Sequence, residues 1–132
     1  MGRPSLLPVH PKQLTLRILK KSKKPMSAYD LLERLRSYGV NGAPVVYRAL
    51  ASLIKSGTVH KIHAQNTFIA CNCDADHDHD LSVLTICQRC DRVEELHDHK
   101  IIHQLEGLRR KGVPLMRDAV IELPVYCQTC AA

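Results

Sequence analysis

Two cysteine pairs, Cys87-Gln88-Arg89-Cys90 and Cys127-Gln128-Thr129-Cys130, carry the sharpest chemistry in this 132-residue sequence. Each CxxC turn can aim two thiolates at one point. Together the pairs supply four, the donor set of a closed tetrahedral zinc site with no open position for catalysis. They are separated by 36 residues, more than in a zinc ribbon, so such a site would clip the end of its domain back onto that domain's first strands. Zinc held this way can contribute on the order of 10 kcal/mol to folding. A redox motif wants a single CxxC at a helix start and a disulfide framework wants an oxidising compartment, so two matched pairs fit a structural metal better than either.

A looser cluster precedes them. From His60 the chain crosses Cys71-Asn72-Cys73 and Asp76-His77-Asp78-His79-Asp80 before reaching Cys87, crowding thiols, imidazoles and carboxylates together. The cluster sits where the charge changes sign. Residues 1–70 hold twelve Lys/Arg against two acids, Asp30 and Glu33, while residues 71–132 hold seven against eleven. A basic half of this size faces a polyanion, with nucleic acid the first expectation and a merely soluble surface the alternative. A metal bound in the cluster would couple the basic half to the acidic one.

Composition limits what can position these donors. The chain is long enough for one ordinary domain or two small ones, and with no Trp and one Phe any core is mostly aliphatic. Two thin cores need a staple, which the cysteines can supply. No apolar run is long enough for a signal peptide or a membrane span, so the expected compartment is the reducing cytoplasm, where paired Cys mean metal more often than disulfide.

Residues 1–9 contain two prolines and no period, and read as a flexible arm. Leu14, Leu16, Ile18 and Leu19 suit a short helix from Pro11, ended by the lysine run and Pro25. Ser27 is a good N-cap with Asp30 in the first turn; Ala28, Leu31, Leu32 and Leu35 form one face, and Gly39 stops the helix. Pro44 suits the first turn of a third helix striped by Val46, Leu50, Leu53 and Ile54 and closed by Gly57. Thr58–Ile62 and Thr67–Ala70, around a polar turn, read as a hairpin. Three helices and a hairpin make a winged helix-turn-helix, whose last helix enters the DNA major groove. The expected readers are Arg48, bidentate to guanine, and Tyr47, to phosphate or a thymine methyl, with Tyr29 and Lys55 as further DNA-facing candidates.

Beyond the cluster, Leu81–Ile86 and Arg92–Leu96 look like strands flanking the first Cys pair. Lys100–Lys111 carries Ile101, Ile102, Leu105 and Leu108 at helical spacing, and Ala119–Val125 reads as a last strand. Strands around one helix, too small to stand alone, suggest dimerisation. The expected architecture is α+β: a winged helix-turn-helix over 1–72, a hinge loop over 73–80, and a small α/β dimerisation domain with antiparallel strands over 81–132.

From about Met26 the chain resembles the ferric-uptake-regulator superfamily, most closely its zinc-uptake-regulator branch. The matching residues are Ser27-Ala28-Tyr29-Asp30-Leu31-Leu32, Val46-Tyr47-Arg48-Ala49-Leu50, Gly57-x-Val59-His60-Lys61, Cys71, and Ile86-Cys87-x-x-Cys90 with the late Cys127-x-x-Cys130. The resemblance implies a homodimeric repressor of zinc uptake genes that binds a palindromic, AT-rich operator, with one structural and at least one regulatory zinc per subunit. Carried over by position, the regulatory ligands would come from His60, Cys71, His77, His79 and Glu95. Five donors exceed a tetrahedron; His60, Cys71, His79 and Glu95 are preferred, with His77 close behind and Cys73 either ligand or spare thiol. His97, His99 and His103 do not map onto a further family site and read as surface. Val45 stands where a Thr is usual before Val-Tyr-Arg, and Asp91 where a Gly follows the first pair.

Three rivals stand beside this reading. An iron, manganese, peroxide or haem sensor of the same superfamily would prefer His and carboxylates to the thiolate of Cys71. A zinc hydrolase or deaminase is the second: Pro124-x-x-Cys127-x-x-Cys130 is similar to the deaminase thiol pair, but no His-x-Glu accompanies it in this sequence to supply ligand and proton shuttle. A zinc-stapled adaptor without sensing would bind DNA regardless of free zinc.

Overall fold

The computed structural model describes residues 10–22, 24–71 and 81–131. The expected N-terminal arm, Cys73, His77, His79 and the proposed 73–80 hinge loop lie outside the described residues.

Helix α1 (Pro11–Lys21) starts on a first-turn proline and carries Lys20 and Lys21 in its last turn, where cations suit the negative end of the helix dipole. Helix α2 (Ala28–Arg36) opens on a full capping box: Ser27 accepts from the Asp30 N–H at 3.0 Å, and Asp30 accepts from the Ser27 N–H at 3.3 Å. A cap of this kind is worth about 1 kcal/mol. Helix α3 (Ala43–Lys55) buries Val46, Ala49, Leu50 and Leu53. Gly39 and Gly57 end their helices at φ of 91° and 79°, where a Cβ would be strained. The three buried helix faces meet Val59 and Phe68 in one aliphatic core.

Strands β1 (Val59–Ile62) and β2 (Thr67–Ala70) form the antiparallel wing, with His60 opposite Ile69. The wing serves two cores. Val59 and Phe68 complete the helical core, whereas Ile62, fully buried, packs with Leu84, Ile86 and Val93 of the second half, and Ile69 flanks it.

The second half is a three-stranded sheet of β3 (Leu81–Cys87), β4 (Val93–Glu95) and β5 (Ala119–Val125), in the order β4-β3-β5. β4 is antiparallel to β3, as expected. β5 is parallel to it, pairing Leu81 with Ala119 through to Cys87 with Val125. The sheet is therefore mixed. A parallel neighbour needs a long crossover, and the segment containing α4 (His99–Glu106) supplies it. The expected single helix over Lys100–Lys111 breaks at Gly107 into a 3-10 stretch, Gly107–Lys111, because glycine caps rather than propagates a helix. A short helix α5 (Gln128–Ala131), absent from the sequence reading, closes the chain. No helix is long and apolar enough to cross a membrane among the described residues.

Candidate metal centres and nucleic-acid interface

The parallel register of β5 assembles the four late thiols. Cys87 ends β3 opposite Val125, so the chain leaving β5 delivers Cys127 beside it two residues later. The first turn is closed by the Asp91 N–H on the Cys87 carbonyl at 3.0 Å, with Asp91 at φ 61°; this Asp takes the left-handed position. The second is closed by α5, where the Cys130 N–H reaches the Cys127 carbonyl at 2.9 Å. Cys87, Cys90, Cys127 and Cys130 are free thiols whose sulfurs all lie within 4.8 Å of one another.

Their ionisation is mutually frustrated. Backbone N–H groups, led by that of Cys127 at 3.4 Å, bring the Cys87 thiol down to about 6. Cys130, facing Cys127 and Cys87, is pushed up to about 12. Four thiolates this close require a cation, and a tetrathiolate set suits zinc. Arg89, which sequence reasoning passed over, laces the two turns together: its Nη1 donates to the Cys130 carbonyl at 2.8 Å while its guanidinium lies 5.1 Å from the Tyr126 ring.

A second donor group forms where the wing meets the C-terminal sheet. His60 projects from β1, 8% exposed; Cys71 follows β2, held by its N–H on the Thr58 carbonyl at 2.8 Å; Glu95 ends β4. The Cys71 thiol donates to Glu95 Oε1 at 3.3 Å, and His60 Nε2 lies 3.4 Å from the same oxygen. All three ligand atoms fall within 4.8 Å of one another. His60 Nε2 is buried and close enough for an ion pair, yet forms no hydrogen bond of good geometry. Burial alone would lower the His60 pKa, but Cys71 and Glu95 together outweigh it and raise it from 6.5 to about 9. A buried imidazole aimed at a thiol and a carboxylate without a well-formed bond is a donor set a borderline-soft metal fits. Three of the five expected regulatory donors converge; His77 and His79 lie outside the described residues. His97, His99 and His103 are exposed and join no group of three donors among the described residues.

On the helical half, Tyr47 and Arg48 stand exposed on α3 beside fully buried Val46, and Tyr29 is exposed in the first turn of α2. The α3 helix carries no acid. Lys55, in its last turn, lines a cleft shared with Lys61 and Arg117 at the junction with the C-terminal half. The structure thus places Tyr47 and Arg48 nearer the middle of the helix than Lys55.

Glu122 on β5 also bridges the halves, accepting from the N–H groups of His63 and Ala64 at 2.5 and 3.0 Å. No local motif marks it: a lone acid within a strand pattern carries no signal of a partner some sixty residues upstream.

The profile of the ferric uptake regulator family matches residues 9–121. The zinc uptake regulation protein of Escherichia coli (strain K12) is 34% identical over 116 residues, covering 87% of this chain and 67% of its own. A structure of a zinc uptake regulator complexed with zinc and DNA superimposes with a TM-score of 0.79 at 32% identity, covering 93% of this chain and 82% of that one. The holo structure of XcZur gives 0.77 at 33% identity, covering 93% and 85%.

Proposed function

The chain belongs to the ferric uptake regulator family, and from that premise we propose that it is a zinc-responsive transcriptional repressor, a cytoplasmic DNA-binding homodimer and not an enzyme, acting on zinc uptake genes. The observation that carries this reading is the meeting of His60, Cys71 and Glu95 at the junction between wing and C-terminal sheet. A ligand bound there touches both halves at once. The structure of a zinc uptake regulator complexed with zinc and DNA, at 32% identity, supports the choice of metal, and the Cys71 thiolate favours zinc over iron or manganese.

The proposed division of the chain is a DNA-binding part to residue 72, a hinge over 73–80 and a dimerisation part beyond it. Cys87, Cys90, Cys127 and Cys130 hold a structural ion; His60, Cys71 and Glu95, with His77 or His79, hold the regulatory one. Zinc, when bound, supplies the positive charge that satisfies thiolate, imidazole and carboxylate together. His60 lies on the wing, Cys71 directly follows it and Glu95 belongs to the C-terminal sheet, so fixing their separation fixes the pose of α3. Two subunits held in that pose present Tyr47 and Arg48, with Tyr29 and Lys55 supporting them, to half-sites one helical turn or a multiple apart. A coupling of about 3 kcal/mol suffices for more than a hundredfold in operator affinity.

The test is a mobility-shift titration on an AT-rich palindromic promoter library at buffered zinc, repeated with iron and manganese. Zinc-dependent retention at low free metal supports the reading. Retention independent of metal, or driven only by iron or manganese, refutes it.

Proton release gives a further check. In the metal-free chain His60, with its pKa raised to about 9, is protonated at neutral pH. This raised value stabilises the fold fully below 6.5, and the contribution is lost as pH rises through about 9. A metal-bound imidazole must be neutral and a metal-bound Cys71 must be a thiolate, so zinc displaces the His60 proton and the Cys71 thiol proton, and the apparent affinity of the junction site should rise by up to about tenfold per pH unit for each proton displaced. Calorimetry in buffers of different ionisation enthalpy should show proton release per junction ion, from His60 and the Cys71 thiol together. No release at pH 7 contradicts the assignment.

A further inference from the structure

The β1–β2 turn is held from outside its own half. In a free hairpin the outward N–H groups of the turn meet water. Here two successive ones, from His63 and Ala64, converge on the carboxylate of Glu122 at 2.5 and 3.0 Å. Consecutive backbone donors aimed at one carboxylate make a charge-assisted pair that fixes direction as well as distance. Glu122 sits on β5 opposite Leu84 of β3. Leu84 also packs with Ile62, the residue that begins the same turn and is fully buried in the second core. The wing tip is therefore attached at two adjacent points, an apolar anchor at Ile62 and a charge-assisted hydrogen-bonded hold at Glu122.

We propose that Glu122 is a positioning residue, a latch that keeps the wing tip on the C-terminal sheet in the pose that grips DNA. The inference rests on the reading of the chain as a DNA-binding regulator. Glu122 belongs to neither donor group. It acts on the same wing that carries His60 from the opposite end of β1, so latch and metal site restrain one rigid hairpin at two places. Either restraint alone leaves a rotation free; both together define the pose of α3, which the wing joins through Val59 in the helical core.

The experiment compares wild type, Glu122→Ala and Glu122→Gln as zinc-loaded full-length dimers. Three readouts are amide hydrogen exchange at His63 and Ala64, operator affinity at saturating buffered zinc, and zinc content with dimer mass. Alanine removes both acceptor contacts and glutamine keeps one oxygen without the charge. For Glu122→Ala, exchange at the two amides should quicken at least tenfold and operator affinity should fall at least tenfold, with zinc content and dimer mass unchanged. Glu122→Gln should fall between, and it carries the test should the alanine variant lose its dimer. Unchanged exchange overturns the latch, and so does quickened exchange with operator affinity unchanged. Wild type failing to bind any operator in response to zinc would sink the regulator reading instead; the exchange comparison would still report whether the turn is held.

Discussion

Cys87→Ser should strip the tetrathiolate ion from the protein and unfold its C-terminal half. Among the four thiols Cys87 is the one with most support: it is fully buried, and its sulfur receives the N–H groups of Arg89 and Cys127, each at 3.4 Å. A serine oxygen is harder, shorter in reach and a poor partner for zinc in a thiolate set. The loss is large against the fold it supports. Structural zinc can contribute on the order of 10 kcal/mol, comparable with the whole stability of an ordinary small domain. What remains is a three-stranded sheet whose β5 positions are half-buried or exposed along their length. The helical core around Leu19, Leu31, Leu35 and Leu50 draws nothing from the C-terminal sheet and should persist. The check is zinc stoichiometry, sedimentation and a melting curve on one preparation. Loss of the structural ion, loss of the dimer and retained helical ellipticity are expected; a folded dimer melting within a few degrees of wild type would refute the structural role.

Cys71→Ser should have the opposite profile, a folded dimer that no longer answers to zinc. Cys71 is half-buried after β2, and its backbone N–H donates to the Thr58 carbonyl at 2.8 Å, a bond that a serine keeps. A serine hydroxyl can also donate to Glu95 much as the thiol does at 3.3 Å. Metal-free stability should change by less than about 1 kcal/mol. The metal chemistry changes far more, because the only thiolate among the three described donors at the junction disappears. If zinc couples to operator binding by about 3 kcal/mol, affinity at saturating zinc should fall more than a hundredfold towards the metal-free value. Titration of operator binding in chelator-buffered zinc, beside a melting curve, separates the outcomes. Normal operator binding by this variant would remove Cys71 from the switch. Parallel loss of stability would mean that the junction is structural.

Much of this protein is written locally. The capping box of Ser27 and Asp30, the stripe Val46, Leu50, Leu53, and the stops at Gly39 and Gly57 each act within a few residues, and each appears where sequence periodicity put it. The donor types are local as well: CxxC spacing fixes two thiols on one turn regardless of what lies beyond. Tertiary structure decided which turns and strands meet. The direction of β5, parallel to β3, follows from a crossover that no short window reveals, and it alone brings Cys127 to Cys87. The sharing of the wing between two cores, with Val59 in one and Ile62 in the other, likewise depends on the packing of distant strands. So do the convergence of Glu95 on His60 and the reach of Glu122 to the wing tip. Propensities, caps and ligand spacing are set by neighbours along the chain. Closing loops of tens of residues costs entropy that only the completed sheet and core repay, so those contacts belong to the folded whole.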